Sequence, residues 1–259
     1  MNPQFPALIK ELNKARNPKQ AKQLQRFFKT APGEYGHGDI FLGIKVPMQR
    51  KICAKYIDLS FSEIQKLLDS KVHEHRFCAL IILISKYKKV SDTEKKKIFN
   101  FYIKNSGKIN PVRNRPRFQR VATDTSGRLV SNGINNWDLV DTSAPQIVGE
   151  YLLNRDKKIL YKFARSKNLW QKRIAVLATF TFIKNYQFND CLEISKILLK
   201  DKHDLIHKAV GWMLREVGKR NKEIEIKFLE EHAHKMPRVM LRYAIEKFPK
   251  KERDCWLSK

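Results

Sequence analysis

Three tryptophans in this chain stand beside charged residues at helical spacing. In Asn135-Asn-Trp137-Asp-Leu-Val-Asp141, Trp137 and Asp141 are four apart and share one helix face, while Asp138 is turned about a hundred degrees away. Trp170 and Arg173 are three apart, with Lys172 between them, and Lys208, Trp212 and Arg215 follow one another at four and three. Cations meet phosphates, indole faces take bases or a cationic lesion, and a carboxylate stabilises a developing sugar cation. The set therefore suits a DNA backbone carrying a damaged nucleotide. Taken singly, each residue has a plainer reading: tryptophans at this spacing are usually core, and Asp141 alone reads as a cap or a salt-bridge partner. Their combination is what points to chemistry.

Other candidates are weaker. His203 and His207 stand at i, i+4, but no third ligand accompanies them, so no metal site is expected. His73/His75 and His232/His234 are two apart and point to different faces of a helix. The loop Gly33-Glu-Tyr-Gly-His-Gly-Asp39 lacks the Gly-Lys-Ser/Thr of a phosphate cradle, and no strand leads into it. Cys53, Cys78, Cys191 and Cys255 form no CxxC pair and sit in apolar helical patterns, which reads as four reduced thiols in a reducing compartment without a zinc cluster.

The elements that must carry these residues are helical. Only 10 glycines and 10 prolines occur in 259 residues, of which 31% are charged, too few turn residues for an all-β chain. Apolar residues recur at three and four from 5 to 29, with Asn17-Pro18 as a break, and again over 72–88, 93–105, 136–153, 156–166, 169–185, 190–200 and 203–220. Pro47 suits a helix start, and Ser60 with Glu63 has capping-box spacing. No stretch alternates as a strand would, so the expected fold is all-α. Four segments put a basic residue just before a small one inside an apolar helix, at Ala79, Ala175, Ala209 and Ala244. The last three are 34 and 35 residues apart, a period that predicts an α-solenoid of HEAT-like, armadillo-type helix pairs with a concave basic groove. The whole chain, 1–259, reads as a single helical-repeat domain. An insertion at 107–133, with six basic residues and one acidic and no helical period, is expected to be flexible.

Fifty-three Lys and Arg against 26 Asp and Glu give a formal charge of +27, a field that attracts polyanions, nucleic acid first. The longest apolar run, which contains 79–84, is far too short to span a bilayer, and the N-terminal residues lack the order of a signal peptide. The expectation is a cytoplasmic protein with no membrane partner.

Arg26-Phe-Phe-Lys-Thr30, the Gly33 to Ile44 segment with Val46-Pro47, Asn136-Trp-Asp-Leu-Val-Asp141, Trp170-Gln-Lys-Arg-Ile-Ala175 and Lys208-Ala-Val-Gly-Trp-Met-Leu-Arg-Glu216 occur in that order. Together they resemble the AlkD family of DNA alkylation-repair glycosylases, from about residue 5 to 250 except across 107–133. The resemblance implies HEAT-like repeats curved round duplex DNA and removal of cationic N3- or N7-alkylated purines without flipping the base into a pocket. It makes Asp141 the catalytic aspartate, Trp137 and Trp212 the tryptophans that pack against the lesion, and Arg173 the arginine beside them. Lys172, Lys208 and Arg215 join Arg173 as DNA-binding candidates. Phe27 or Phe28 stands where the best-known member has a tyrosine, so stacking survives there and any role of a hydroxyl does not. No cofactor is implied, and a monomer is expected on double-stranded DNA containing alkylated purines. The competing readings are a non-catalytic DNA-binding relative and a helical scaffold for a protein partner.

Overall fold

A computed structural model describes residues 4–32, 34–106 and 133–258. The expected insertion, apart from Gly133, lies outside them. Among the described residues all regular elements are helical, and β structure is one isolated bridge between Ile40 and Val72. No helix among them is long and apolar enough to cross a membrane. The chain divides into two compact units, Met1–Leu139 and Val140–Lys259.

The first unit holds α1 (Gln4–Lys14), α2 (Pro18–Phe27), α3 (Val46–Cys53), α4 (Phe61–Leu68), α5 (His73–Tyr87), α6 (Asp92–Ser106) and the first residues of α7 (Trp137–Ser143). Asn17 caps α2, accepting from the Gln20 N–H at 3.0 Å with Pro18 behind it, and Ser60 and Glu63 form the expected capping box on α4. Helix α5 is central, packing against α3, α4 and α6. It is buried on all sides from Phe77 to Ile84, as a helix apolar all round must be. Its first turn is polar and equally buried. There Glu74 accepts the N–H groups of Leu42, Gly43 and Ile44, satisfying three donors of an irregular segment that has no ladder of its own.

Cys53 on α3 and Cys78 on α5 depart from the expectation of reduced thiols, because packing of the two helices joins them as a disulfide. Their separation of 25 residues gave no hint of adjacency, and the thiol argument for a reducing compartment falls with it. Cys191 is a free buried thiol, pushed up to about 12 by its burial, and Cys255 is free and exposed.

In the second unit α7 runs on through a π turn at Ala144–Gly149 into α8 (Glu150–Leu152). Pro145 lacks an N–H, so the regular α pattern cannot pass through it. The Pro145 carbonyl accepts instead from the Thr181 hydroxyl at 2.8 Å. Then follow α9 (Lys158–Ala164), α10 (Leu169–Lys184), α11 (Asn189–Leu198), α12 (Asp204–Gly218), α13 (Lys222–His232), α14 (Arg238–Ala244) and α15 (Lys250–Ser258). The π segment, α10, α12 and α14 lie side by side in one layer, while α9 and α11 back α10, and α11 and α13 back α12. These are the stacked helix pairs of a HEAT-like repeat array, as the spacing predicted. Close approach within the layer needs glycine: a Cβ on Gly211 would sit 2.3 Å from the Met240 carbonyl oxygen, and one on Gly149 2.5 Å from that of Ala178.

Candidate functional site

In the second unit, the stacking register brings Asp141 to Arg173, 32 residues on. Arg173 Nε donates to Asp141 Oδ1 at 2.7 Å and Nη2 to Oδ2 at 2.6 Å, a bidentate clamp. Its Nη1 donates to the carbonyl of Leu205, a further 32 residues along. Arg173 is therefore no surface cation: its side chain is 6% exposed, whereas Asp141 keeps 16%. The two parallel bonds from Arg173 fix the orientation of the carboxylate.

The same register sets Trp212 on α12 beside Phe180 on α10, ring centroids 6.1 Å apart and tilted by 43°. Lys184 Nζ lies 4.5 Å from the Phe180 centroid and the Arg220 guanidinium 6.0 Å, so this half-buried aromatic pair has two cations beside it. Glu216 is largely buried, which raises its carboxyl, but Lys219, Arg220 and the Trp212 indole outweigh that and hold it below its usual range. Trp170, at 4% exposure, is core.

The remaining candidate cations all hold partners within the unit. Lys172 pairs with Asp201, Lys208 with Asp204 at 3.1 Å, and Arg215 with Glu246. Of these only Lys208–Asp204 is a pair at the surface, where ion pairs are weak; Lys172–Asp201 and the guanidinium of Arg215 are mostly covered. His203 caps α12 by accepting from the Leu205 N–H, and His207 bonds the Asp201 carbonyl. Among the described residues no group of three His, Cys, Asp or Glu is arranged to hold a metal.

In the first unit, the two phenylalanines separate. Phe27 is 63% exposed, whereas Phe28 is buried with Ala21 and Phe41. Trp137 stacks on Phe28 at 5.3 Å and 17° and meets Phe27 edge-on at 5.8 Å. Trp137 is partly buried, so its indole has one face on a rigid aromatic support.

Beneath that support lies an ionic cluster that the sequence reading missed. Asp39 ends the glycine-rich loop and binds Arg76 Nη2 at 2.8 Å, while His73 Nε2 binds Asp138 Oδ2 at 2.8 Å and its Nδ1 lies 3.5 Å from Asp39 Oδ2. Burial works hardest on His73, disfavouring its charge, yet Asp138 and Asp39 outweigh it and raise the imidazole to about 9. Burial likewise raises Asp39, but Arg76 and His73 override it and hold the carboxyl below its ordinary value. The available signal was the run of four polar residues, His73 to Arg76, just before the apolar stretch of the same helix. His75, two residues from His73, faces elsewhere and bonds the Ser70 hydroxyl.

Helical pairs stacked in this way, with a clamped carboxylate and presented indoles, define a repeat protein of the kind that binds extended partners. The family model for the DNA alkylation repair enzyme matches residues 8–248, and the chain belongs to that family. Among solved structures it is similar to one from Enterococcus faecalis described as a predicted DNA alkylation repair enzyme. That likeness has a TM-score of 0.63 at 16% identity and covers 91% of this chain and 97% of the other. No curated protein matches it in sequence.

Proposed function

We propose that the chain is a monofunctional DNA glycosylase that removes N3- or N7-alkylated purines from duplex DNA. The observation that carries this reading is the Asp141 carboxylate, oriented by a bidentate arginine yet still partly open to solvent. An alkylpurine of this class is already a cation, so it leaves without a general acid. The C1′–N bond breaks, its electron pair neutralises the departing purine, and the oxygen of a water bonds to C1′ while its proton passes to solvent. Asp141 stabilises the sugar cation and orients that water. Trp137 and Trp212 offer indole faces that favour positive charge on sugar and base. Such a set acts on a lesion left in the duplex, without a pocket for a flipped base. Phe27 adds an exposed ring, Lys208 exchanges its surface carboxylate for a phosphate, Lys172 and Arg215 add positive field near the DNA backbone, and Arg173 acts by holding Asp141.

The test is single-turnover release of 7-methylguanine from a methylated duplex, wild type beside Asp141→Asn. Release by wild type, reduced about 100-fold in the variant with duplex affinity kept within about threefold, is the expected result. Equal rates in the two proteins refute the role of Asp141. No release by wild type, despite duplex binding that falls steeply with salt, leaves a DNA-binding protein in which the pair with Arg173 is structural.

A further inference from the structure

The buried cluster of the first unit is tied to Trp137 from both sides. Asn136, the residue before it, donates from Nδ2 to Asp39 Oδ2 at 3.3 Å and accepts the Trp137 N–H on Oδ1 at 2.8 Å. Asp138, the residue after it, takes His73 Nε2 on Oδ2 and the Leu139 N–H on Oδ1, both at 2.8 Å. Asp39 therefore holds one neighbour of Trp137 and His73 the other. The ring is held as well: Trp137 lies on Phe28, Phe28 on Phe41 at 5.1 Å, and Phe41 on the His73 imidazole at 4.6 Å and 20°. Backbone and indole are thus anchored on the same histidine.

Such a cluster is a poor source of stability, because taking four ionisable groups out of water offsets most of what their attraction returns. What it does supply is one conformation. Asp39, His73 and Arg76 are 5%, 3% and 0% exposed, so no substrate proton reaches the imidazole and a catalytic role is closed to it. We infer that Asp39 and His73 are positioning residues for Trp137, fixing the first turn of α7 so that the indole is presented in a single orientation. The inference rests on the reading that Trp137 meets the damaged nucleotide. It also gives the glycine-rich loop a purpose: Gly36 donates to the Lys29 carbonyl at the end of α2 and accepts from the Asp39 N–H, both at 3.0 Å, which brings the carboxylate under the aromatic stack.

The charged groups around His73 are Asp39 from the loop, Arg76 from its own helix and Asp138 from α7, with Phe28 and Phe41 closing the remaining sides. Loss of its proton leaves the cluster with two carboxylates against one cation. The Trp137 signal, isolated by difference against Trp137→Phe, is then expected to titrate in alkaline solution.

The experiment follows that signal as the indole N–H resonance and its acrylamide quenching in wild type, His73→Gln, His73→Leu and Asp39→Asn. Expected are an indole resonance that shifts and broadens in His73→Leu and Asp39→Asn, and loss of the alkaline titration in all His73 variants. His73→Gln, which keeps a donor for Asp138, is expected to restore the resonance in part. Single-turnover release of 7-methylguanine is expected to fall at least about tenfold in His73→Leu, with duplex affinity within about threefold. Should His73→Leu not fold, Asp39→Asn, which preserves shape, decides the matter by the same readouts. A folded variant with an unchanged Trp137 resonance and an unchanged alkaline titration overturns the inference, whatever its activity. A perturbed resonance with no release even by wild type supports the positioning and sinks the glycosylase reading instead.

Discussion

Replacing Arg173 by methionine removes the clamp while keeping much of the side-chain volume. Two groups lose a partner at once: Asp141, whose carboxylate takes two bonds from the guanidinium, and the Leu205 carbonyl, which takes one. Breaking a buried ion pair costs about 3 to 5 kcal/mol, and the 16% exposure of Asp141 and its remaining interactions offset part of it. The Leu205 carbonyl, in the first turn of α12, keeps its intrahelical partner and adds little. The expected loss at pH 7 is about 3 kcal/mol, a fall of about 6 to 10 °C in Tm for a chain of this size. Asp141→Asn in the same background removes the charge that Arg173 neutralised, so the double variant is expected to recover part of the loss, with a coupling energy of about 2 kcal/mol. Urea unfolding of the four proteins of the cycle, followed by circular dichroism, measures it. Single effects that add within about 0.5 kcal/mol would refute the claim that the two side chains act as a unit.

Raising the pH tests His73. Its pKa in the folded protein lies above the free value of 6.5, at about 9, so its contribution is complete below 6.5 and lost as pH rises through 9. Unfolding in urea at pH 7 and 10 is expected to differ by on the order of 3 kcal/mol more in wild type than in His73→Gln, and equal differences refute it. Glu225 shares that sign for a different reason: burial above all raises its carboxyl to about 8, against Lys222 and Arg215, so stability falls as pH rises from 4.5 through 8. Glu225→Gln is expected to raise Tm at pH 8 and to leave it unchanged at pH 4. Reducing Cys53–Cys78, which closes a separation of 25 residues, is expected to lower stability by about 3 kcal/mol, read as a shift of the urea midpoint with dithiothreitol. Gly211→Ala drives a methyl into the Met240 carbonyl and is expected to lower Tm by an amount equivalent to about 2 kcal/mol; an unchanged melt refutes the tight packing of α12 on α14.

Local signals were legible in the sequence because local physics sets them. The break at Asn17-Pro18, the capping box at Ser60 and the extents of α5, α6, α10 and α12 follow from side chains within a few residues of each other. The repeat period was legible too, since close-packed layers need small residues such as Ala175 and Ala209 at matching places. What the sequence hid was pairing across the register. Arg173 reads as a DNA-facing cation until stacking sets it on Asp141, 32 residues away, and Cys53 and Cys78 read as separate thiols until α3 meets α5. His73 was hidden for a related reason. Its partners, Asp39 and Asp138, come from a loop and a helix distant in sequence on either side, and no periodicity links the three.

The π turn after Asp141 can also be regarded as an extra residue in the helix. Asp141 is followed by Ala144, Ile147 and Val148, all buried, and the wider turn is what reconciles their direction with that of the partly open carboxylate. Deleting one residue between 145 and 149 would turn Asp141 by about 100° against the buried positions that follow, Ile147 and Val148. The reading frame of the helix, more than the identity of any residue in it, keeps the carboxylate facing outward. A single-residue deletion here would redirect the carboxylate while leaving the Asn136 to Asp141 motif and the net charge untouched.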